Sequence, residues 1–277
     1  MSEKLRYDMS SRVAITGAGG QIGSFILTHL QIRGFSVFPV GRNNLLSDII
    51  EIKPDLIINC IGRGSDYRRV STEEEIWNSN YYVPSEILNF AINNKIKFLN
   101  IGSILEKKKE YSSAYIESKR ALSALIRIYC EDSYQVASLL TPIVYGLHVE
   151  HVLISDIIKS AITKVAVNLE SPNAIREFIY INDLIDLVIK IIELEEFNNS
   201  SIEIGNGIGY KLSDLCDSAL LNFVEPTWKY TPIKGRTNDI VITANINFIK
   251  TKLGFNPKVD ILDWFKQLLN KNEVRIL

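Results

Sequence analysis

The sequence predicts an α/β protein: a doubly wound parallel sheet followed by a smaller α/β lobe. Three observations carry this prediction. Short, continuously apolar runs alternate with amphipathic helical stretches through the first half of the chain, and runs without polar alternation belong to strands buried on both faces. A glycine cluster separates the first run from the first helical stretch. Beyond Tyr145-Gly146 the alternation weakens and Pro226, Pro232 and Pro257 interrupt it.

The elements follow in order. Residues 1–11 are charged and read as a flexible leader without the apolar core of a secretory signal. Val13-Ala14-Ile15 is the first strand. Ile22, Phe25, Ile26, Leu30 and Ile32 recur at helical spacing, and Gly34 supplies a C-cap. Residues 35–40 form the second strand and 56–60, after Pro54-Asp55, the next. Some twenty residues are too few for a crossover, a strand and a second crossover. The third strand of a doubly wound half is therefore vestigial or absent. A helix over about 84–93 leads to a strand at 98–101, a helix over 113–130 to a strand at 136–140. Later, 153–162 read as helix, 164–168 and 178–181 as short strands, and 184–194 as a helix capped by Asn182-Asp183. Helices near 212–222 and from 261 close the chain. The reading divides it into a nucleotide-binding domain at 12–147, completed by about 174–205, and a substrate lobe from 148–173 and 206–277.

Composition bounds the function. The chain has 277 residues, 46% hydrophobic and 23% charged, with 31 basic against 32 acidic side chains. A net charge of −1 gives no footprint for nucleic acid. No stretch reaches the roughly 18 apolar residues of a membrane span. Cys60, Cys130 and Cys216 are too few and too scattered for a disulfide framework or a zinc site, so no metal is expected. His148 and His151 read as loop residues. The default is a cytoplasmic protein.

Two constellations carry chemistry. Gly17-x-x-Gly20-x-x-Gly23 lies between the first strand and the first helix, with Gln21 and Ile22 opening that helix. Such a turn lets backbone approach a pyrophosphate, and the helix N-terminus offers N–H groups and a positive dipole. This is a Rossmann-type arrangement, with isoleucine at position 22 where the commoner fingerprint has glycine. After the second strand come Arg42 and Asn43, with no acid before Asp48. A carboxylate there would hydrogen-bond the ribose 2′-OH of NAD, whereas an arginine suits the 2′-phosphate of NADP. NADP(H) is therefore the preferred cofactor, with NAD(H) as the alternative. Further on, Tyr115 and Lys119 stand at i and i+4, on one helix face. A neighbouring ammonium, together with the positive nicotinamide ring, should favour the phenolate and bring the tyrosine into range as a general acid or base. Ser103 falls at the end of a strand, where open α/β sheets bind ligands; Ser112, Ser113 and Ser118 do not.

On these residues the sequence resembles the extended short-chain dehydrogenase/reductase superfamily, the branch that acts on nucleotide sugars. Further stretches match in order: 53–60, Val144-Tyr145-Gly146, 176–184, 204–207, 235–239 and 253–257. The 12-residue step from Ser103 to Tyr115 resembles the 4-keto sugar reductases that make CDP-abequose and CDP-paratose. The resemblance implies catalysis by Ser103, Tyr115 and Lys119. It implies that Cys60, Ile61, Gly62, Tyr115, Lys119, Pro142 and Ile143 line the cofactor with the glycine loop, and that Ser103, Arg176 and Arg236 bind substrate. The substrate would be a nucleotide-diphosphate sugar, since two guanidinium forks suit a diphosphate. A 4,6-dehydratase would need carboxylates directly after the serine, where Ile104 and Leu105 stand; Glu106 comes one step late. The expected activity is NADPH-dependent reduction of a nucleotide-linked 4-keto-6-deoxy sugar, in nucleotide-sugar and surface-polysaccharide biosynthesis. An NAD-dependent epimerase or an inactive NADP-binding sensor or scaffold are the alternatives. A homodimer is expected; Leu122, Leu125, Ile126 and Tyr129 form a stripe that suits either a second copy or the sheet.

Overall fold

The computed structural model describes residues 11–64, 71–150, 152–221, 228–231 and 241–270. Its elements begin with β1 (Arg12–Thr16), α1 (Gln21–Ile32), β2 (Ser36–Val40), α2 (Leu45–Ile52) and β3 (Leu56–Asn59). Next come α3 (Glu73–Trp77), α4 (Val83–Asn93), β4 (Lys97–Ser103), α5 (Ala114–Glu131), β5 (Val136–Thr141) and β6 (Ile143–Tyr145). The rest are α6 (Leu153–Thr163), β7 (Val167–Leu169), β8 (Ile175–Tyr180), α7 (Ile181–Leu194), β9 (Asn198–Glu203), β10 (Gly209–Lys211), α8 (Leu212–Leu220), β11 (Trp228–Tyr230), α9 (Asn247–Thr251) and α10 (Ile261–Asn270). A π-helical turn, Asn78–Tyr82, joins α3 to α4, and a 3-10 turn, Ile104–Lys107, follows β4.

Two compact units result. One takes residues up to 141, 184–203 and 247–255; the other takes 142–183, 204–246 and 256 onward. This grouping departs from the expected boundaries for a reason of pairing. β6 and β8 hydrogen-bond to each other and so stay together, which moves 142–147 and 174–183 into the second unit.

The first unit is a parallel sheet of order β2-β1-β3-β4-β5-β9. Its strands form because Val13-Ala14-Ile15, Leu56-Ile57-Ile58 and Phe98-Leu99 are wholly buried between helix layers. Only α2 joins β2 to β3, so the third strand of the doubly wound pattern is absent and β2 is the edge. Strand order reverses between β1 and β3, which makes their carboxyl ends a ligand crevice. Leu122 and Ile126 of α5 are 0% exposed and pack with Ile87, Leu88 and Phe98, while Leu125 and Tyr129 lie against the same core. The α5 stripe is thus used within the chain, and the homodimer expectation loses that support.

β9 and α7 are among the elements that depart from the sequence reading. β9 has no apolar run; it is a polar edge strand that buries Ile202, and edge strands need no continuous hydrophobic signal. α7 starts at Ile181, so Asn182-Asp183 is not its cap. The buried Asp183 carboxylate instead accepts the Lys258 and Val259 amides at 3.1 Å each.

The second unit has a three-stranded sheet, β10-β8-β6, and a two-stranded one, β11-β7. Tyr145, Ile157, Phe178, Leu215, Trp264 and Phe265 fill its core. No helix among the described residues is long and apolar enough to cross a membrane.

Candidate active site

The glycine loop is built by contacts that no side chain would permit. Gly17 has φ +72°, and a Cβ there would fall 2.7–2.8 Å from the backbone of Cys60 and Ile61. A Cβ on Gly23 would fall 2.3 Å from the Gly17 carbonyl oxygen, so α1 can seat on the loop only with glycine there. The Gly20 amide closes the turn on that oxygen at 2.9 Å. Gly20 is the N-cap of α1, so no side chain caps the helix, and its first turn, with Gln21 and Ile22, holds no acid. The β1 and β3 ends are tied by the Cys60 amide on the Thr16 carbonyl, at 3.0 Å. Below them a row of buried side chains crosses the sheet. Thr16 donates to Asn59 at 2.9 Å, Asn59 to Asn100 at 2.9 Å, and Asn100 to Ser138 at 3.1 Å. The Asn59 carbonyl also receives the Ile61 amide at 3.4 Å. This arrangement fits a dinucleotide: a bare cradle and an uncapped helix N-terminus.

Arg42 and Asn43 are exposed just past β2. The structure also brings there a carboxylate that the spacing had placed out of reach. Asp48, on α2, accepts the Gly41 amide at 2.9 Å.

Ser103 is the last residue of β4 and 6% exposed. Its hydroxyl receives the Leu105 amide at 3.3 Å and lies close enough to the phenol of Tyr115, on the first turn of α5, to favour its ionised form. Ser113 caps that helix, its hydroxyl receiving the Ile116 amide at 3.2 Å. Lys119 is 5% exposed; its ammonium reaches the Ile101 carbonyl at 3.4 Å and the Ile61 carbonyl at 3.5 Å. Gly62 is bare beside it: a Cβ would lie 3.2 Å from that ammonium. Burial raises the Tyr115 pKa above 10, Glu106 adds to the rise, and the Ser103 hydroxyl opposes it. Burial likewise lowers Lys119, with Glu106 and then Cys60 acting the other way. The Cys60 thiol is itself pushed up to about 12 by burial. Burial thus favours the protonated phenol, the form that gives a proton away.

Asn80 and Arg120 escaped the sequence reading, which weighs Glu106 only as a dehydratase carboxylate. Asn80, fully buried on the π-helical turn, accepts the Arg63 amide at 2.8 Å and donates to the Arg63 carbonyl at 2.9 Å and to Ser118 at 3.1 Å. It sets the loop beside Lys119. Arg120 threads the short Ser103-to-Tyr115 connection, donating to the carbonyls of Glu106 (2.8 Å), Lys108 and Tyr111 (3.0 Å) and to the Glu117 carboxylate. Glu106 is 8% exposed, and its carboxylate receives the Ser103 amide at 2.7 Å. A buried polar residue on an irregular turn leaves no periodic signal.

The remaining candidates lie in the second unit or outside the described residues. Pro142 is buried, and Ile143 opens β6. Arg176, on β8 opposite Tyr210, is partly buried and donates to the Ile175 carbonyl at 3.2 Å. Arg236 and His151 lie outside the described residues. Among those described, no cluster of three His, Cys, Asp or Glu could hold a metal ion.

A family model described as "NAD dependent epimerase/dehydratase family" matches residues 13–205. No curated protein matches the sequence. Solved structures match over nearly the full length. A GDP-mannoheptose C4 reductase from Campylobacter jejuni, with NADP bound, is 18% identical, with TM-score 0.77 over 96% of this chain and 99% of that one. A UDP-glucose 4-epimerase from Thermotoga maritima, with UDP-glucose, is 17% identical, with TM-score 0.74 over 93% and 99%. WbmG from Bordetella bronchiseptica, in complex with NAD, is 17% identical, with TM-score 0.76 over 94% and 93%. At these identities the likeness establishes the fold.

Proposed function

Because the chain belongs to the NAD dependent epimerase/dehydratase family, we propose that it is an NADPH-dependent reductase of a nucleotide-linked 4-keto-6-deoxy sugar. The observation that carries this reading is the convergence of Ser103, Tyr115 and Lys119 at the carboxyl end of β4. A reductase needs an acid at that point. Gly17, Gly20, Gln21, Ile22 and Gly23 would hold the pyrophosphate, Arg42 and Asn43 the adenosine ribose, and Cys60, Ile61, Gly62, Lys119, Pro142 and Ile143 the rest of the cofactor. When bound, the nicotinamide supplies the hydride. Tyr115 gives its proton to the carbonyl oxygen of the sugar, and Ser103 polarises the same oxygen. Lys119 offsets the negative charge that develops on Tyr115.

Solved structures of this fold hold NADP in the mannoheptose reductase and NAD in WbmG, so the cofactor choice rests on Arg42. NADPH should bind at least about tenfold more tightly than NADH, roughly 1.4 kcal/mol. Arg42→Ala should erase the difference. Fluorescence titration of both cofactors measures it, and a preference untouched in Arg42→Ala would remove the arginine from the argument. One observation favours a second reading, an NAD-dependent nucleotide-sugar epimerase. The Asp48 carboxylate reaches the end of β2, where NAD proteins place an acid. NAD retained through purification, and a switch of preference in Asp48→Asn, would establish that reading.

The substrate class rests on Arg176, with Arg236 beside it in the argument. A free sugar offers neither guanidinium an anion, whereas a diphosphate offers two. Arg176→Ala should reduce use of a nucleotide-linked keto sugar by at least about tenfold, the scale of one charge-assisted hydrogen bond, with NADPH affinity unchanged. NADPH oxidation against CDP-, dTDP- and GDP-linked 4-keto sugars and their free counterparts decides it. Equal use of free and linked sugars would leave a generic reductase.

A further inference from the structure

We propose that Arg120 is a positioning residue, whose guanidinium holds the short connection between β4 and α5 and thereby sets Ser103 and Tyr115 toward one point. The inference rests on the reading of Ser103, Tyr115 and Lys119 as the reacting groups, and it assigns a task to a side chain that this reading leaves unused.

The connection is short and irregular. Residues 104–113 join Ser103, the last of β4, to Ala114, the first of α5. The 3-10 turn takes up 104–107, and 108–113 belong to no helix or strand. The path of that stretch must therefore be set by other contacts, and Arg120 makes them. Its Nε donates to the Glu106 carbonyl at 2.8 Å, and its Nη2 donates to the Lys108 carbonyl and, at 3.0 Å, to the Tyr111 carbonyl. Its Nη1 donates to the Glu117 carboxylate at 2.7 Å, one turn back on α5, which orients the fork. Four bonds thus engage a group whose five N–H donors lie in one fixed plane. A lysine ammonium has three rotatable donors on a flexible stem and sets no angle between them.

The two ends of the connection are pinned separately. The Ser103 amide donates to the Glu106 carboxyl group at 2.7 Å, and the Ser103 hydroxyl receives the Leu105 amide at 3.3 Å. At the other end the Ser113 hydroxyl receives the Ile116 amide at 3.2 Å. Arg120 works between these caps. Neighbouring residues of a helix point about 100° apart, so α5 directs Lys119 to the Ile61 and Ile101 carbonyls and Arg120 to the connection. One helix places Tyr115 and Lys119 by its own backbone and Ser103 through the fork. The location also separates positioning from bracing the fold. Arg120 is partly exposed and lines an open cleft of about 230 Å³ with Ser123, Arg127 and Ser200. Carbonyls that lose the fork can turn to water there, so the chain should still fold. What it loses is the fixed path of 104–113.

The test compares Arg120→Ala and Arg120→Lys with the wild type by two readouts. The first needs no substrate: tyrosines carry carbon-13 at Cζ, and the Tyr115 signal is the one that Tyr115→Phe removes. In both variants that signal should shift or broaden. The signals of Tyr145, Tyr180 and Tyr210 in the second unit should stay in place, and the melting temperature should fall by only a few degrees. The second readout is NADPH oxidation with CDP-, dTDP- and GDP-linked 4-keto sugars. Here kcat should fall by about tenfold to a hundredfold, the cost of a misplacement of about 1 Å, with NADPH affinity within about twofold of the wild type. Methylguanidinium at millimolar concentration, entering through the cleft, should restore the signal and much of the rate to Arg120→Ala, and should change neither the wild type nor Ser103→Ala. A Tyr115 signal unmoved in Arg120→Ala overturns the proposal. So does a wild-type signal in Arg120→Lys, a loss that methylguanidinium leaves as it was, or an Arg120→Ala protein that fails to fold. A wild type that oxidises no NADPH with any of these sugars would overturn the reductase reading and leave the tyrosine signal to decide the task of the fork.

Discussion

Tyr115→Phe should lower turnover by about 10²- to 10⁴-fold, the usual size of a general-acid contribution, while NADPH affinity stays within about twofold, under ~0.5 kcal/mol. The substitution removes one hydroxyl and keeps the ring on the first turn of α5. The cradle of Gly17, Gly20 and Gly23 is untouched, because none of its close contacts involves Tyr115. Ser103 keeps its bond from the Leu105 amide, so the stability cost should be small, at most about 1 kcal/mol. The pH dependence follows from the direction of the shift. Burial, helped by Glu106, raises the Tyr115 pKa above 10, so the phenol is protonated throughout the neutral range. Rate that depends on this proton should be flat there and fall only as pH rises through the raised value. Stopped-flow NADPH oxidation with a nucleotide-linked keto sugar, with a cofactor titration of the same protein, separates the two effects. Wild-type turnover in the variant would mean that the tyrosine-lysine spacing is a coincidence of helix sequence.

The first unit was legible because its signals are local and repeated. Val13-Ala14-Ile15, Leu56-Ile57-Ile58 and Phe98-Leu99 read as buried strands and are buried strands. The missing third strand showed in the short span between β2 and β3. The places of Gly17, Ser103, Tyr115 and Lys119 could be read from motif spacing, since helix periodicity and strand ends fix direction. What spacing could not supply is the balance of forces at those places. The i to i+4 step pointed to a lysine beside the tyrosine, but it carries no trace of the burial that raises the Tyr115 pKa. Asp48 shows the same gap. Eight positions from Val40, it looked remote, yet one turn of α2 returns it to the Gly41 amide. Polar residues that act by tertiary contact, such as Asn80, Glu106 and β9's Asn198 to Ser201 stretch, carry no period to detect.

Within the glycine loop the expected effects separate by position. Gly17→Ala should destabilise the protein by about 2–5 kcal/mol, combining a left-handed backbone that penalises an L side chain with an overpacked contact. The Cβ would meet the Cys60 carbonyl carbon at 2.7 Å and the Cys60 oxygen and Ile61 nitrogen at 2.8 Å. These are backbone atoms, and no rotamer change moves them aside. The loop would have to lift from β3, stretching the Cys60-to-Thr16 bond and the Thr16 hydroxyl bond to Asn59. The crevice between β1 and β3 would open with it, so NADPH affinity should fall by more than about tenfold, beyond ~1.4 kcal/mol. Gly20→Ala should do less, since its Cβ would touch only the Gly17 oxygen, at 3.2 Å. Gly19→Ala is the control. Nothing lies within 4 Å of a Cβ there, and an exposed substitution without a special contact should stay within about 0.5 kcal/mol. Thermal melts and cofactor titrations on the three proteins should therefore rank Gly17 below Gly20 and Gly20 below Gly19. If Gly17→Ala and Gly19→Ala melted together and bound NADPH alike, the close approach of this loop to β3 could not be what shapes the cofactor seat.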